Sequence, residues 1–313
     1  DKPHKSLRQP WQSVGAKAVV TLASKLMLAL LPPQTSFFKL QISDDKLGEE
    51  IPPQIRSELD LSFAKLERLV MDSIAASSDR VTVHQAIKHL VVGGNALLFM
   101  GKQGIKHYPL NRYVVERDGN GNVIEIVTKE LISKKLLPIE VVQDPLKTSD
   151  ESYNTNSECE VYTHCKLQNN RWVWHQEVYG KIIPKSMGKA PKDASPWLVL
   201  RFNSVDGENY GRGRVEEFIG DLKSLEALSQ ALTEGSAAAA KVIFLVSPSS
   251  TTKPQTLAKA GNGAIIQGRP DDVAVVQVGK TADFQTAMQQ MQTLERHIAE
   301  AFLVLTVRQS ERT

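Results

Sequence analysis

Three groupings of residues in this sequence have types and spacings that could do chemistry. Gly263-Ala-Ile-Ile-Gln-Gly268 has the glycine interval of a phosphate-gripping loop, in which backbone N–H groups approach the anion and a Lys-Ser/Thr pair then holds phosphate and magnesium. Arg269-Pro270 stands where that pair belongs, and proline removes a donor from the cradle, so the stretch reads as a turn. Cys159, His164, Cys165 and His175 are metal-ligand types. Zinc sites, however, pair cysteines as Cys-x₂₋₄-Cys with a matching second pair, and that spacing is missing. An even separation on a strand puts Cys159 and Cys165 on one face, which reads as two buried thiols. Asp44-Asp45, Glu216-Glu217 and Asp271-Asp272 are adjacent carboxylates. Sequence neighbours diverge on a helix or strand, so none of these makes the convergent pair that metal-assisted hydrolysis uses. Neither a Gly-x-Ser-x-Gly elbow nor a Gly-x-Gly-x-x-Gly dinucleotide loop occurs. The expectation is a structural or assembly protein with no catalysis, no cofactor and no metal.

Composition narrows the class further. The 313 residues, 41% of them hydrophobic, suffice for two or three domains with real cores. A net charge of +3, from 38 basic and 35 acidic residues, is too balanced to mark a nucleic-acid binder by bulk charge. Two cysteines exclude a disulfide scaffold and favour a reducing compartment. The most apolar stretch, 26–31, is far below the ~20 residues of a membrane span, so no membrane is expected.

The elements that would position these residues follow from periodicity. Trp11, Val14, Ala18, Leu22, Leu26 and Leu30 recur every three or four residues and predict a helix stopped by Pro32-Pro33. A second helix is expected over 57–78, with Leu59, Phe63, Leu66, Val70 and Ile74 on one side. A third is expected over 83–99, carrying Gly93-Gly94 in its middle at a cost of about 1 kcal/mol per glycine. Runs 113–117 and 123–128 flank Asp118-Gly-Asn-Gly-Asn122, a hairpin signal. A short helix near 128–137, an exposed loop over 147–158, strands over 159–167 and 171–179, and a strand over 197–202 complete a mixed α+β unit, 1–205. Beyond it, Phe218, Leu222, Leu225, Ser229 and Leu232 step by four and three, as a helix facing another helix does. Strands over 242–246 and 273–278 and a last helix over 281–305 follow, so this part reads as helix, small β-rich insert, helix.

Several separated blocks carry a family resemblance. They are Pro10-Trp-Gln-Ser-Val-Gly-Ala-Lys17, Val91-Val-Gly-Gly-Asn95, Tyr113-Val-Val-Glu-Arg-Asp118 with Gly121-Asn122-Val123, and Val161-Tyr-Thr-His164. Further along come Asp206-Gly-Glu-Asn-Tyr-Gly-Arg212, Glu216-Glu-Phe-Ile-Gly-Asp-Leu-Lys-Ser-Leu-Glu226, Gly268-Arg-Pro-Asp-Asp272, Ala282-Asp-Phe284 and Ser310-Glu-Arg-Thr313. In this order the chain resembles the portal, or head-to-tail connector, family of short-tailed (podovirus) double-stranded DNA phages. The resemblance implies an α+β fold: a wing over 1–205, a first stem helix over 206–240, a clip over 241–280, a second stem helix over 281–305, and the start of a tunnel region over 306–313. Members of the family continue into a tunnel helix and a crown, whereas this sequence stops at Thr313.

The resemblance further implies a homo-oligomer of twelve subunits at the portal vertex of the capsid, assembled in the host cytoplasm. Its implied partners are double-stranded DNA, the major capsid protein, the terminase large subunit, the tail adaptor protein and internal core proteins. Twelve helices packed about 8–10 Å apart trace a circle about 30–38 Å across, leaving a bore of roughly 20–28 Å. A conduit should not grip, since each neutralised phosphate adds salt-dependent affinity. Residues 212–240 hold five acidic against three basic residues, and 281–305 hold three against one. Glu216, Asp221, Glu226, Glu234, Asp283, Glu295 and Glu300 are therefore the candidates for a phosphate-repelling wall. The clip is basic, and Lys241, Lys253, Lys259, Arg269, Asp271 and Asp272 are its candidates for contacting DNA or a partner. The alternatives are another phage ring, such as a tail adaptor, or an ATPase subunit of a packaging motor, which the absent phosphate loop disfavours.

Overall fold

The computed structural model describes residues 9–33, 35–41, 53–142, 158–239, 243–250, 252–261, 265–276 and 281–304. The chain divides into two compact units, one formed by 18–218 and the other by 1–17 with 219–313; the division falls within the first helix, α1 (Val14–Leu30).

In the larger unit, α2 (Pro53–Ala76) and α3 (Asp79–Gly93) precede β1 (Asn95–Gly101) and β2 (Gly104–Tyr108). Then come β3 (Tyr113–Arg117), β4 (Val123–Ser133), α4 (Ile139–Val142), β5 (Glu158–Gln168), β6 (Arg171–Val178), β7 (Lys181–Ile182), β8 (Gly188–Pro191), β9 (Trp197–Arg201) and α5 (Arg214–Glu217). All strand pairs are antiparallel. One sheet has the order β2-β1-β9; the other runs β3-β4-β5-β6-β7, with β8 also on β6. Leu97, Tyr108, Trp197 and, from the second sheet, Tyr113, Val115, Ile126, Cys165 and Trp172 form one buried cluster. Ala86 of α3 packs on Ala96 and Leu98, covering the smaller sheet.

Two local expectations change. Gly94 is not inside a helix: it sits at φ 72°, donates its N–H to Leu90 O at 2.9 Å and ends α3, so 95–101 is strand. A left-handed glycine satisfies the last carbonyls without a Cβ clash. Residues 128–133 are strand as well, because a ladder running from Thr128↔Thr163 to Ser133↔Glu158 overrides their local helix preference.

The smaller unit contains α6 (Ile219–Ala239), β10 (Ile243–Val246), α7 (Pro254–Lys259), β11 (Val273–Val276) and α8 (Thr281–Ala301). Ser229 Oγ lies 3.7 Å from Met291 Sδ, and Gly235 lies against the ring of Phe284. These two contacts run in opposite chain directions, so α6 and α8 are antiparallel. A Cβ at position 235 would come within 2.6 Å of the Phe284 ring, and glycine is what lets the aromatic seat there. Leu225, Ile298 and Phe302 are fully buried. The helix expected over 212–240 is broken at Phe218, whose C-cap geometry (φ −110°, ψ 16°) separates α5 from α6. β10 pairs antiparallel with β11, from Ile243↔Val276 to Val246↔Val273.

Candidate functional site

Three of the separated sequence blocks meet in the larger unit around the loop that joins β9 to α5. Asn95 Nδ2 donates to Gly93 O and Gly211 O, both at 2.8 Å, and the Gly211 N–H donates to Asn95 Oδ1 at 2.7 Å. Gly213 packs so tightly that a Cβ there would stand 2.3 Å from Val92 O and 2.8 Å from Gly94 N. From the other side, the Arg117 N–H donates to Asn209 Oδ1 at 2.9 Å, Arg117 Nε donates to Asn209 O at 3.0 Å, and the Val115 N–H donates to Tyr210 OH at 3.3 Å. Asn203 and Arg212 exchange backbone hydrogen bonds, which closes the loop on itself. Arg212 then grips Glu208 through Nε and Nη2 and reaches Glu216 through Nη1 at 2.7 Å. The loop is thus clamped to both sheets immediately before the helices begin.

Among the expected wall residues, Glu216 is ion-paired to Arg212 on α5 and sits in the larger unit. Asp221, Glu226 and Glu234 lie on α6. At 100° per residue Glu234 points away from the face of Leu225 and Ser229, beside Lys223 on the same outer side. Glu226 lies on the flank: its Oε1 accepts the Trp11 N–H at 2.9 Å, and its Oε2 is buried with no hydrogen-bond partner among the described residues. Glu234 accepts from Gln230 Nε2 at 2.9 Å. On α8, Asp283 and Glu300 are exposed, Glu295 is half-buried, and Arg296 Nε stands 3.9 Å from Glu300. The outer faces of both helices therefore mix signs.

The clip candidates divide into two groups. Lys253 and Lys259 bracket the short α7 and are exposed, as are Arg269 and Asp271. Asp272 is a structural pin: its Oδ2 accepts from Thr252 Oγ1 at 3.2 Å and from the Arg269 N–H at 3.4 Å, and its carbonyl accepts the Ser247 N–H at 3.0 Å. Lys241 and part of the glycine-spaced 263–268 stretch lie outside the described residues, as does Asp44-Asp45.

The residues first weighed as ligands occupy ordinary sheet positions. Cys159 and Cys165 are buried, free thiols on β5. Burial pushes the Cys165 thiol up to about 12, which makes it unreactive. His164 Nε2 meets Glu125 Oε1 at 2.5 Å across β5 and β4, and this bond, with Lys166 beside it, holds the Glu125 carboxyl below the usual range. Among the described residues no three His, Cys, Asp or Glu side chains group as metal ligands, and no helix is long and apolar enough to cross a membrane.

Sequence reading alone did not reach Asn95, Arg117 and Arg201 as key positions. Asn95 follows a Gly-Gly pair at a helix end, and Arg117 precedes a glycine-rich turn, but their partners lie about a hundred residues away.

In chain order, a mixed α+β body clamped onto a loop is followed by two long antiparallel helices with a small two-stranded insert between them in the sequence. The family model for the bacteriophage head to tail connecting protein matches residues 2–313, and the chain belongs to that family. The portal protein of Escherichia phage T7 is 37% identical, over 97% of this chain and 58% of its own length. The portal protein of Enterobacteria phage T3 is 38% identical, over 94% and 56% respectively. The chain therefore spans less than three fifths of the length of these relatives. Among solved structures, an HK97-family phage portal protein from Corynebacterium diphtheriae aligns with 95% of this chain and 77% of its own at 10% identity. Its TM-score of 0.30 is too low to carry an argument.

Proposed function

We propose that this chain is a portal subunit: a component of a twelve-membered ring at one capsid vertex, through which double-stranded DNA is packaged and later ejected. In this reading it performs no catalysis. It seats against the major capsid protein, docks the large subunit of the packaging terminase and afterwards the tail adaptor protein, and is assembled in the host cytoplasm before residing in the virion. The observation that carries the reading is the match of the connector family over 2–313, together with relatives named portal proteins. Residues 1–205 then serve as wing, 206–240 and 281–305 as the two stem segments, and 241–280 as clip.

The helix pair supports a stem role. At 1.5 Å per residue, 21 residues make α6 and α8 each about 31 Å long, a wall several base pairs deep. Asp221, Glu226, Glu234, Asp283, Glu295 and Glu300 then bias that wall against phosphate, while Glu216 shares Arg212 with Glu208 and keeps only part of its charge free. Lys253, Lys259, Arg269 and Asp271 are presented at the tip for DNA or a partner, and Lys241 joins them by its position in the sequence.

Mass measurement and negative-stain imaging of the purified protein test the reading. A twelve-membered annulus with an opening wide enough for a duplex is expected; a monomer, or a particle with a filled centre, overturns it.

A further inference from the structure

Beside the clamped loop, in the larger unit, lies a cavity of about 430 Å³ between the turn after β3 and the segment after β9. Arg117, Gly121, Arg201, Ser204, Asp206 and Asn209 are among its lining residues. Two guanidinium groups converge at Gly121. Arg117 Nη1 donates to Gly121 O at 2.8 Å, while Arg201 Nη2 stands 3.0 Å from the place a Cβ of residue 121 would take. Among the described residues neither arginine has a carboxylate partner. Arg117 spends its bonds on the carbonyls of Gly121, Asn209 and Val199, and Arg201 donates to Glu208 O at 3.0 Å. Five N–H groups per guanidinium leave most of Arg201's donors unused.

The carboxylates nearby do not balance these charges. Both oxygens of Glu208 are held by Arg212, and Asp118 is occupied by the Asn120 and Asn122 N–H groups and by Asn122 Nδ2. Of the lining carboxylates, Asp206 is exposed and has no such bond among the described residues. Burial and the neighbouring Arg201 charge lower the Arg117 pKa, the direction expected of two like charges held close together.

We propose that this cavity is a binding site for a single carboxylate of the kind an acidic side chain presents, held between Arg117 and Arg201. Guanidinium groups favour such oxyanions because parallel N–H donors match two oxygens. The concave opening takes in one small anion rather than the successive phosphates of a duplex; the Asp206 carboxylate on its lining opposes any anion and does not choose between them. This site does not depend on the portal reading.

The test keeps Arg117 intact, since it staples three carbonyls, and uses the full chain with sodium propionate, the glutamate side chain in isolation, as probe at constant ionic strength. Thermal unfolding should shift upward and saturate with propionate, and Arg201→Gln should raise the half-saturating concentration roughly tenfold. A pair of variants supplies an independent readout. Gly121 has φ +80°, a conformation Asp and Asn adopt more readily than other residues with a side chain, and a side chain there points at Arg201. Gly121→Asp should melt higher than Gly121→Asn in low salt and should no longer respond to propionate. Equal melting of the two variants, or a propionate response that survives Arg201→Gln, overturns the proposal. So does a short DNA duplex that captures the Arg201-dependent response at lower concentration than propionate, because the site would then be one for phosphodiesters.

Discussion

Asn95 and Gly211 are 116 positions apart and exchange two hydrogen bonds, with Nδ2 donating to the carbonyl at 2.8 Å and the N–H donating to Oδ1 at 2.7 Å. Asn95 is 4% exposed and Gly211 is also buried, so water cannot substitute when the side chain is removed. An orphaned buried donor or acceptor costs about 1–3 kcal/mol. Asn95→Ala should therefore destabilise the chain by about 3 kcal/mol, read as a lower urea midpoint. Asn95→Asp keeps the acceptor and loses both donors, so it should also unfold earlier than the parent.

The glycines of this chain separate into those that are needed and those that are not. A Cβ at Gly213 would collide with backbone atoms of Val92 and Gly94, which cannot move aside as a flexible side chain can. Gly213→Ala should lower the thermal midpoint markedly. Gly220, in the first turn of α6, has nothing within 4 Å of its would-be Cβ, so Gly220→Ala should be neutral or stabilise by up to about 1 kcal/mol. Equal effects from the two substitutions would contradict the packing described here.

Acid should loosen the α3–β2 region. Burial, together with the His89 ring tilted against it at 4.6 Å between centroids, pulls the His107 pKa down from 6.5 to about 4, and its Nε2 is buried with no hydrogen-bond partner among the described residues. A depressed histidine pKa means that the unfolded chain binds the proton first. The neutral ring's contribution is thus complete above pH 6.5 and is lost progressively as pH falls toward 4. Partial exposure limits the effect to about 1–2 kcal/mol. Unfolding midpoints compared between pH 7 and pH 4.5 should show His107→Gln to be less acid-sensitive than the parent.

The stem charges give a test in the assembled particle. Glu234 and Glu300 are exposed on the outer sides of α6 and α8, so Glu234→Lys and Glu300→Lys leave the helix seam intact. If the ring passes DNA along this wall, added lysines should slow packaging, most at low salt, because each new phosphate contact is multiplied around the ring. Packaging rates that are unchanged across salt concentrations would sink the idea of a repelling wall.

What could be read from the sequence were features that repeat locally. The steps of Leu222, Leu225, Ser229 and Leu232 anticipated a helix facing another, and the even spacing of Cys159 and Cys165 anticipated a shared buried face. What could not be read depended on distant partners. Lys129 to Ser133 resemble a helix until β5 supplies the ladder, and Gly93-Gly94 fits a helix interior as well as an end until the loop at 211–213 crosses it. Arg201 carries no local signal, because its importance arises only when the turn at Gly121 folds against it.

The backbone crossing at Gly94 and Gly213 also constrains how the lineage can diverge. Neither position can acquire a side chain unless the opposite strand of the crossing retreats, and that retreat would pull Asn95 from its partner. In an alignment of descendants, 92–95 and 211–213 should therefore drift together or stay frozen, however freely the surrounding surface is rewritten.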